Sequence, residues 1–308
     1  MNNDEAIAFA NAALKHWDLP DCTPRLISNR ENAVFEVVSA DGGSAALRLH
    51  RPGYQTDEAI RSELIWSKGL DKAGMKLPRP IPAKNGDLIS KVNQAGRIAS
   101  IVTWVEGVPL GDDGIADQWD EEMQLRIFSA LGSELAQLHK LSDTLDLDDD
   151  FERERLDIDG LLGDNPNWGR FWENPTLTRP NRELLLDTRD RLRGIFEAYQ
   201  RGGADFGLIH ADALSENVLA VGETVTLIDF DDGGYGFRMY DLGVAMSQVW
   251  HRPRAGKLAA ALAKGYDLSA REARIIPLFT VTRTLASCGW AISRYAADDP
   301  AMAIYADG

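Results

Sequence analysis

The chain reads as an α+β protein in two lobes, with an N-terminal lobe built on an antiparallel sheet and one helix over residues 1–105 and a mainly α-helical C-terminal lobe over 106–308. Three observations carry that reading. Short β-branched and aromatic runs separated by turn residues fill the first hundred residues, apolar residues at three- and four-residue steps fill the remainder, and the texture changes at Glu106-Gly107-Val108-Pro109. A length of 308 residues is long for one core and comfortable for two.

Residues 3–17 place Ile7, Phe9, Ala10, Leu14 and Trp17 at roughly helical spacing, which predicts an amphipathic packing helix ending before Pro20. Strands are expected at Arg25–Ser28, Ala33–Ser39 and Ser44–His50, with Asp41-Gly42-Gly43 turning the last two into an antiparallel meander. Glu58–Ala73 predicts a helix with Ile60, Leu64 and Leu70 on one side, closed by Gly74. After the proline-rich LPRPIP run, two more strands are expected at Asp87–Val92 and Arg97–Trp104, on either side of a turn over Asn93–Gly96. Core-facing helices follow at Glu121–Leu138 and Arg182–Tyr199, and three further helical runs are expected at Tyr240–Trp250, Ala255–Gly265 and Ala270–Tyr295. Between the two long helices, residues 142–181 are acidic, then rich in Asn, Pro and Trp, and read as an ordered insert with short helical turns.

The composition excludes some functions. A net charge of −15 argues against a nucleic-acid binder, which needs clustered positive charge. Cys22 and Cys288 lie far apart with no metal-ligand spacing, which suits two reduced thiols. The start MNNDEAIAFA lacks the basic and apolar regions of a secretory signal, and the apolar stretch Ile275–Ile292 is interrupted by Pro277 and Arg283. The expectation is a soluble, cytoplasmic chain without membrane or nucleic-acid partners.

Chemistry concentrates between Leu208 and Gly243. In His210-Ala211-Asp212-Ala213-Leu214-Ser215-Glu216-Asn217 the His and Asp are two apart and the Asn follows the Asp by five, the spacing of a kinase catalytic loop. Such a loop needs a carboxylate beside the acceptor hydroxyl and an amide oxygen that holds a metal ion against the phosphates. Twelve residues beyond Asn217, the apolar strand Thr224–Ile228 ends in Asp229, a second ligand suited to Mg²⁺. Asp231 and Asp232 compete for that role, and Asp229 is favoured because it directly follows the strand.

The succession HxDxxxxN, IDF and YDLG resembles the aminoglycoside phosphotransferase and choline kinase superfamily, a distant branch of the protein-kinase-like fold, over most of the chain. The resemblance implies that His210 braces the loop, Asp212 is the catalytic carboxylate, and Asn217 and Asp229 bind metal. It also implies that Asp241 hydrogen-bonds the loop from behind, although Asp241 also suits a helix N-cap ahead of Leu242. Ala46-Leu47-Arg48 occupies the strand where kinases carry Ala-x-Lys, so Ala46 would roof the adenine and Arg48 would stand in for the lysine. Glu63 is its natural ion-pair partner, with Glu58 as the alternative. The loop Ser28–Ala33 has no glycine, and cover for the phosphates there would fall to backbone amides, with Asn29 or Asn32 adopting unusual dihedrals. The run Glu31–Phe35 is similar to the type II homoserine kinase and stress-response kinase groups, which also lack a full glycine-rich loop. Thr103–Gly107 resembles the family's interlobe hinge, whose backbone at Trp104, Val105 and Glu106 would bond the adenine edge. His139 matches a habitual family position, yet a histidine in a last helical turn is already explained by the helix dipole and is not counted in the active site.

The expected reaction is transfer of the γ-phosphate of ATP, with Mg²⁺, to a hydroxyl; GTP stays open as donor. Asp148, Asp149, Asp150, Asp157, Asp159, Asp164 and Glu173 in the insert point to a small cationic or amino-bearing acceptor such as an amino alcohol, amino acid or amino sugar. The alternatives are a serine/threonine protein kinase of the stress-response type, with a protein substrate, and a non-catalytic nucleotide-binding pseudokinase. Arg48 and the glycine-free loop favour the pseudokinase, and the intact set Asp212, Asn217 and Asp229 weighs against it.

Overall fold

The computed structural model describes residues 1–19, 22–30, 32–38, 42–92, 96–111 and 119–307. Glu31, Ser39, Asp41 and Asn93, to which the sequence assigns loop, strand-end and turn positions, lie outside the described residues. The chain divides into two compact units, Met1–Glu106 with Thr144–Arg153, and Gly107–Asp143 with Glu154–Gly308. The acidic run at Asp148, Asp149 and Asp150, expected in the C-terminal lobe, thus belongs to the first unit.

In the first unit, α1 (Asn3–Leu14) starts at a capping box in which the Glu5 amide donates to Asn2 Oδ1 at 2.9 Å and the Asn2 amide donates to Glu5 Oε2 at 3.0 Å. Strands β1 (Thr23–Asn29), β2 (Ala33–Val38) and β3 (Ser44–Leu49) are followed by α2 (Asp57–Lys72), β4 (Ile89–Val92) and β5 (Arg97–Thr103). The five strands form one antiparallel sheet in the order β1-β2-β3-β5-β4. Strand periodicity decides the faces. Phe35 and Val37 of β2 and Ala45, Leu47 and Leu49 of β3 are buried in one cluster with Ala6, Ala10, Ala13 and Trp17. The alternate β3 residues Ala46 and Arg48 therefore point to the other face. There Ile60 and Leu64 of α2 pack with Leu88, Ile89, Ile98 and Val102.

The second unit opens with β6 (Val108–Pro109) and α3 (Glu121–Ser142), then β7 (Arg155–Leu156), α4 (Ile158–Leu162) and α5 (Arg179–Arg201). Four short strands come next, β8 (Phe206–Ile209), β9 (Val218–Val221), β10 (Thr224–Leu227) and β11 (Gly234–Phe237), and then α6 (Arg238–Ser247), α7 (Ala255–Gly265), α8 (Ile276–Ile292) and α9 (Pro300–Asp307). Two three-stranded sheets result, ordered β10-β9-β6 and β7-β11-β8. The core holds stacked Phe196 and Phe279, ring centroids 4.4 Å apart, with Phe237 and Tyr240 against Phe279. The single helix expected over Ala270–Tyr295 is instead a 3₁₀ turn, Glu272–Ile275, followed by α8. Pro277 lacks a backbone donor and fits only the first turn of a helix, so α8 begins there. By length and composition alone the stretch Glu272–Ile292 is apolar enough to cross a membrane, yet 56% of its 18-residue apolar window is buried inside the protein.

Close approach at two glycines sets the position of α8. A Cβ on Gly243 of α6 would lie 2.5 Å from the Phe279 carbonyl carbon, and one on Gly289 would lie 2.5 Å from the Gly169 carbonyl oxygen. Backbone contacts of this kind leave the helix little freedom to shift.

Candidate active site

Strand β8 delivers the chain to His210, and a buried carboxylate fixes the backbone of the loop that begins there. Asp241, on α6 and fully buried, accepts from the His210 amide at 2.8 Å through Oδ2 and from the Ala211 amide at 2.6 Å through Oδ1. Its Oδ2 is also 2.9 Å from His139 Nε2, and His139 Nδ1 is 2.7 Å from the Tyr266 hydroxyl. Ala211 has φ 63°, in the left-handed region that costs a residue with a Cβ about 1 kcal/mol or more. The two amide bonds to Asp241 hold that conformation. His210 is buried, which lowers its pKa against the pull of Asp241 and Asp229, so the ring is neutral. Its Nε2–H donates to the Ile228 carbonyl at 3.0 Å, and its Nδ1 accepts from the Asp212 amide at 3.3 Å.

Asp212 has both carboxylate oxygens engaged. Oδ1 accepts from Arg283 Nη2 at 2.7 Å, and Oδ2 accepts from Asn217 Nδ2 at 2.7 Å. The same Asn217 nitrogen donates to the Asp212 carbonyl at 3.0 Å, so the donors of the amide are turned inward and Oδ1 is left as its remaining acceptor. Burial raises the Asp212 pKa, Arg283 opposes, and the carboxylates of Asp232, Asp229 and Glu216 add to the rise. The side chain nevertheless keeps 20% of its surface exposed. Asn217 ends a 3₁₀ turn, and its carbonyl accepts from the Ile228 amide at 2.9 Å, tying the loop to the chain leaving β10. That strand ends at Leu227, so Asp229 follows it by two residues instead of directly, with φ 64°. Aspartate tolerates the left-handed region better than most residues. Among the described residues no group of three or more His, Cys, Asp or Glu is arranged to hold a metal by itself. A site of one carboxylate and one amide oxygen, completed by phosphates and water, matches the way Mg²⁺ is usually held.

The first unit brings Arg48 and Glu63 together, Nη1 to Oε1 at 3.0 Å, and both are mostly buried. The partner is therefore Glu63 and not Glu58. Ala46 shares the Arg48 face, half-buried. Among the described residues neither Asn29 nor Asn32 adopts a positive φ. Asn29 instead donates to the Met1 carbonyl at 3.0 Å and to Asn3 Oδ1 at 2.9 Å, and Asn32 Oδ1 accepts from the Arg51 amide at 2.9 Å. Unusual dihedrals at these residues are thus not how this turn is built. Trp104 and Val105 are half-buried and Glu106 is exposed, with the Trp104 amide 3.3 Å from the Ser44 carbonyl.

Residues 23–276 match the phosphotransferase enzyme family. The chain belongs to that family. It is 30% identical over 218 residues to a homoserine kinase of Beijerinckia indica subsp. indica, a match that takes in 68% of this chain and 61% of the relative. The matched stretch is thus less than two thirds of that relative's length. An amicoumacin kinase of Bacillus subtilis is 22% identical over 249 residues, 80% of this chain and 69% of the relative. Among solved structures, the microcompartment-associated aminopropanol kinase superposes with a TM-score of 0.84 at 30% identity, covering 98% of this chain and 94% of that one.

In this member of the phosphotransferase enzyme family, four of the insert's acidic side chains lie beside arginines. Asp159 pairs with Arg193 at 2.9 Å, Glu173 with Arg170 at 2.6 Å and Asp164 with Arg189 at 3.7 Å. Asp157 caps α4 and lies 3.3 Å from Arg155. Much of the negative charge in the insert is spent on local arginines. Three residues that sequence reasoning left out belong to the site: His139 and Tyr266 behind Asp241, and Arg283 on Asp212. The only sequence signal for Arg283 is its presence inside an otherwise apolar helix, where a charge needs a partner.

Proposed function

We propose that the chain is an ATP- and Mg²⁺-dependent kinase that transfers the γ-phosphoryl group to the hydroxyl of a small, amino-bearing acceptor. The observation that carries this reading is Asp212, held at both oxygens by Asn217 and Arg283 while its side chain stays 20% exposed. A carboxylate so fixed can orient an acceptor hydroxyl and take its proton. Asn217 Oδ1 and the Asp229 carboxylate are the groups that would hold the metal, which when bound neutralises charge on the phosphates. His210 braces the loop through its two ring bonds, and Arg48, fixed by Glu63, would grip the donor phosphates. Ala46, Asn32 and the backbone at Trp104, Val105 and Glu106 complete the proposed nucleotide contacts. A fold neighbour, amicoumacin kinase bound to AMP-PNP and Ca²⁺, is in line with an adenine nucleotide and a divalent cation.

The acceptor class comes from the relatives. Homoserine and aminopropanol each carry an amine and a hydroxyl on a short chain, and the two proteins named for them are each 30% identical to this one. A thermal-shift comparison of L-homoserine, 1-amino-2-propanol, choline and an aminoglycoside, with Mg²⁺ and AMP-PNP present, tests the class. Either short amino alcohol should raise the melting temperature beyond the nucleotide alone. A response confined to the aminoglycoside, or phosphate incorporated only into protein, would remove the small-acceptor reading.

A further inference from the structure

The loop His210–Asn217 contains no lysine or arginine. Phosphoryl transfer leaves negative charge spread over the equatorial oxygens of the moving group, and a fixed cation beside them is one of the largest contributions a site makes. Apart from Arg283, the charged groups that act on Asp212 are Asp232, Asp229 and Glu216, all of the wrong sign. A protein cation on the acceptor side, beyond the metal and Arg48, would have to come from outside the loop.

Arg283 is placed to be that group. It projects from the middle of α8 with 8% of its side chain exposed, and gives one nitrogen, Nη2, to Asp212. Arg283 engages the carboxylate through one nitrogen and one oxygen, not through two parallel bonds, and Oδ2 receives Asn217. The rest of the guanidinium makes no hydrogen bond among the described residues, and its Nε is buried without a partner. Of five N–H donors most are unspent, in a position where an unspent donor costs stability. The side chain is held in place without consuming them. Its guanidinium carbon lies 5.9 Å from the Trp168 ring centroid, and Trp168 stacks on Tyr240 at 6.0 Å. The close approaches at Gly243 and Gly289 fix the helix that carries it.

We infer that Arg283 is a further catalytic residue, supplying from α8 the cation that stabilises the transferring phosphoryl group while it orients Asp212. The inference rests on the proposed kinase activity. In the step, the acceptor oxygen bonds to the γ-phosphorus as the bond from that phosphorus to the β,γ-bridging oxygen breaks. The bridging oxygen keeps the electron pair and leaves on ADP, and the hydroxyl proton passes to Asp212. Arg283 forms and breaks no covalent bond; its free N–H groups donate to the equatorial oxygens.

The test uses the full chain with MgADP and aluminium fluoride, a planar mimic of the moving phosphoryl group, compared with MgADP alone. Arg283→Gln should weaken binding of the fluoride complex about 100-fold or more while MgADP binding changes about twofold at most. Arg283→Lys keeps the charge and a partner for Asp212, but one ammonium cannot serve both anions as a fork does. It should lose roughly tenfold in the fluoride complex at an unchanged melting temperature. In turnover, kcat should fall for L-homoserine and 1-amino-2-propanol alike, with the acceptor KM little changed. Fluoride-complex affinity equal to wild type in both variants would reduce Arg283 to a counter-ion and overturn the inference. So would a rise in KM confined to L-homoserine, which would make Arg283 a reader of the acceptor carboxylate. Failure of the kinase reading is a separate result, visible in the wild type alone as MgATP turnover absent with every acceptor.

Discussion

Asp241→Asn is the substitution whose consequences the geometry fixes most fully. Three donors converge on this buried carboxylate: the His210 amide and His139 Nε2 on Oδ2, and the Ala211 amide on Oδ1. An asparagine has one acceptor oxygen and one NH₂. With its oxygen at the Oδ2 position, the NH₂ meets the Ala211 N–H, donor against donor; with the amide reversed, two donors are orphaned. The better arrangement loses one buried amide bond, about 1–3 kcal/mol, and replaces charge-assisted bonds with neutral ones, about 1 kcal/mol each. A total loss of roughly 3–5 kcal/mol is expected for the second unit, read by urea unfolding. Ala211 also loses the bond that holds its left-handed backbone, so Asp212 moves with it and kcat should fall about 100-fold. Stability within about 0.5 kcal/mol of wild type together with unchanged kcat would refute the placement of Asp241 behind the loop.

Glu134 and Arg48 give two more tests, one of stability and one of nucleotide binding. Burial pushes the Glu134 carboxyl up from its ordinary 4.5 to about 7, and its Oε1 has no hydrogen-bond partner among the described residues. A raised carboxyl pKa favours the folded state fully below pH 4.5 and loses that contribution as pH rises through 7. Ionised Glu134 therefore costs about 1–2 kcal/mol after allowance for its partial exposure. Glu134→Gln should melt above wild type at about pH 8.5 and close to it at about pH 4, and equal melting at both pH values would remove the effect. Arg48→Ala should raise the KM for ATP about 10–100-fold, the worth of one or two charge-assisted bonds, with a smaller change in kcat. An unchanged KM would detach Arg48 from the nucleotide.

The features legible in the sequence were local ones. The helices α2, α3 and α7 follow from apolar steps of three and four with a cap at the start or a glycine at the end, and β2 and β3 from strict alternation. The spacing of His210, Asp212 and Asn217 was legible because one tight loop sets it. Arg48 with Glu63 was also readable, since strand and following helix are neighbours in sequence as in space. Contacts across long separations were not. His139 meets Asp241 across 102 residues and Arg283 meets Asp212 across 71, and no periodicity records which buried polar groups will find each other. The two-residue strands β6 and β7 are too short to show alternation, and the pairing of insert carboxylates with arginines of α5 depends on tertiary packing. Pro277 was a readable stop that the run of apolar residues around it concealed.

The most direct measurement is Mg²⁺-dependent ATP turnover by Asp212→Asn with the acceptor that stabilises the wild type. The substitution keeps the volume but removes the charge and the proton acceptor, and its NH₂ takes the place of one of the two oxygens that accept from Arg283 and Asn217. Turnover should fall by about 1,000-fold or more while MgADP binds within about twofold of wild type. Turnover that survives in Asp212→Asn, or wild type and variant equally inactive across the acceptor panel, would contradict catalysis by this loop.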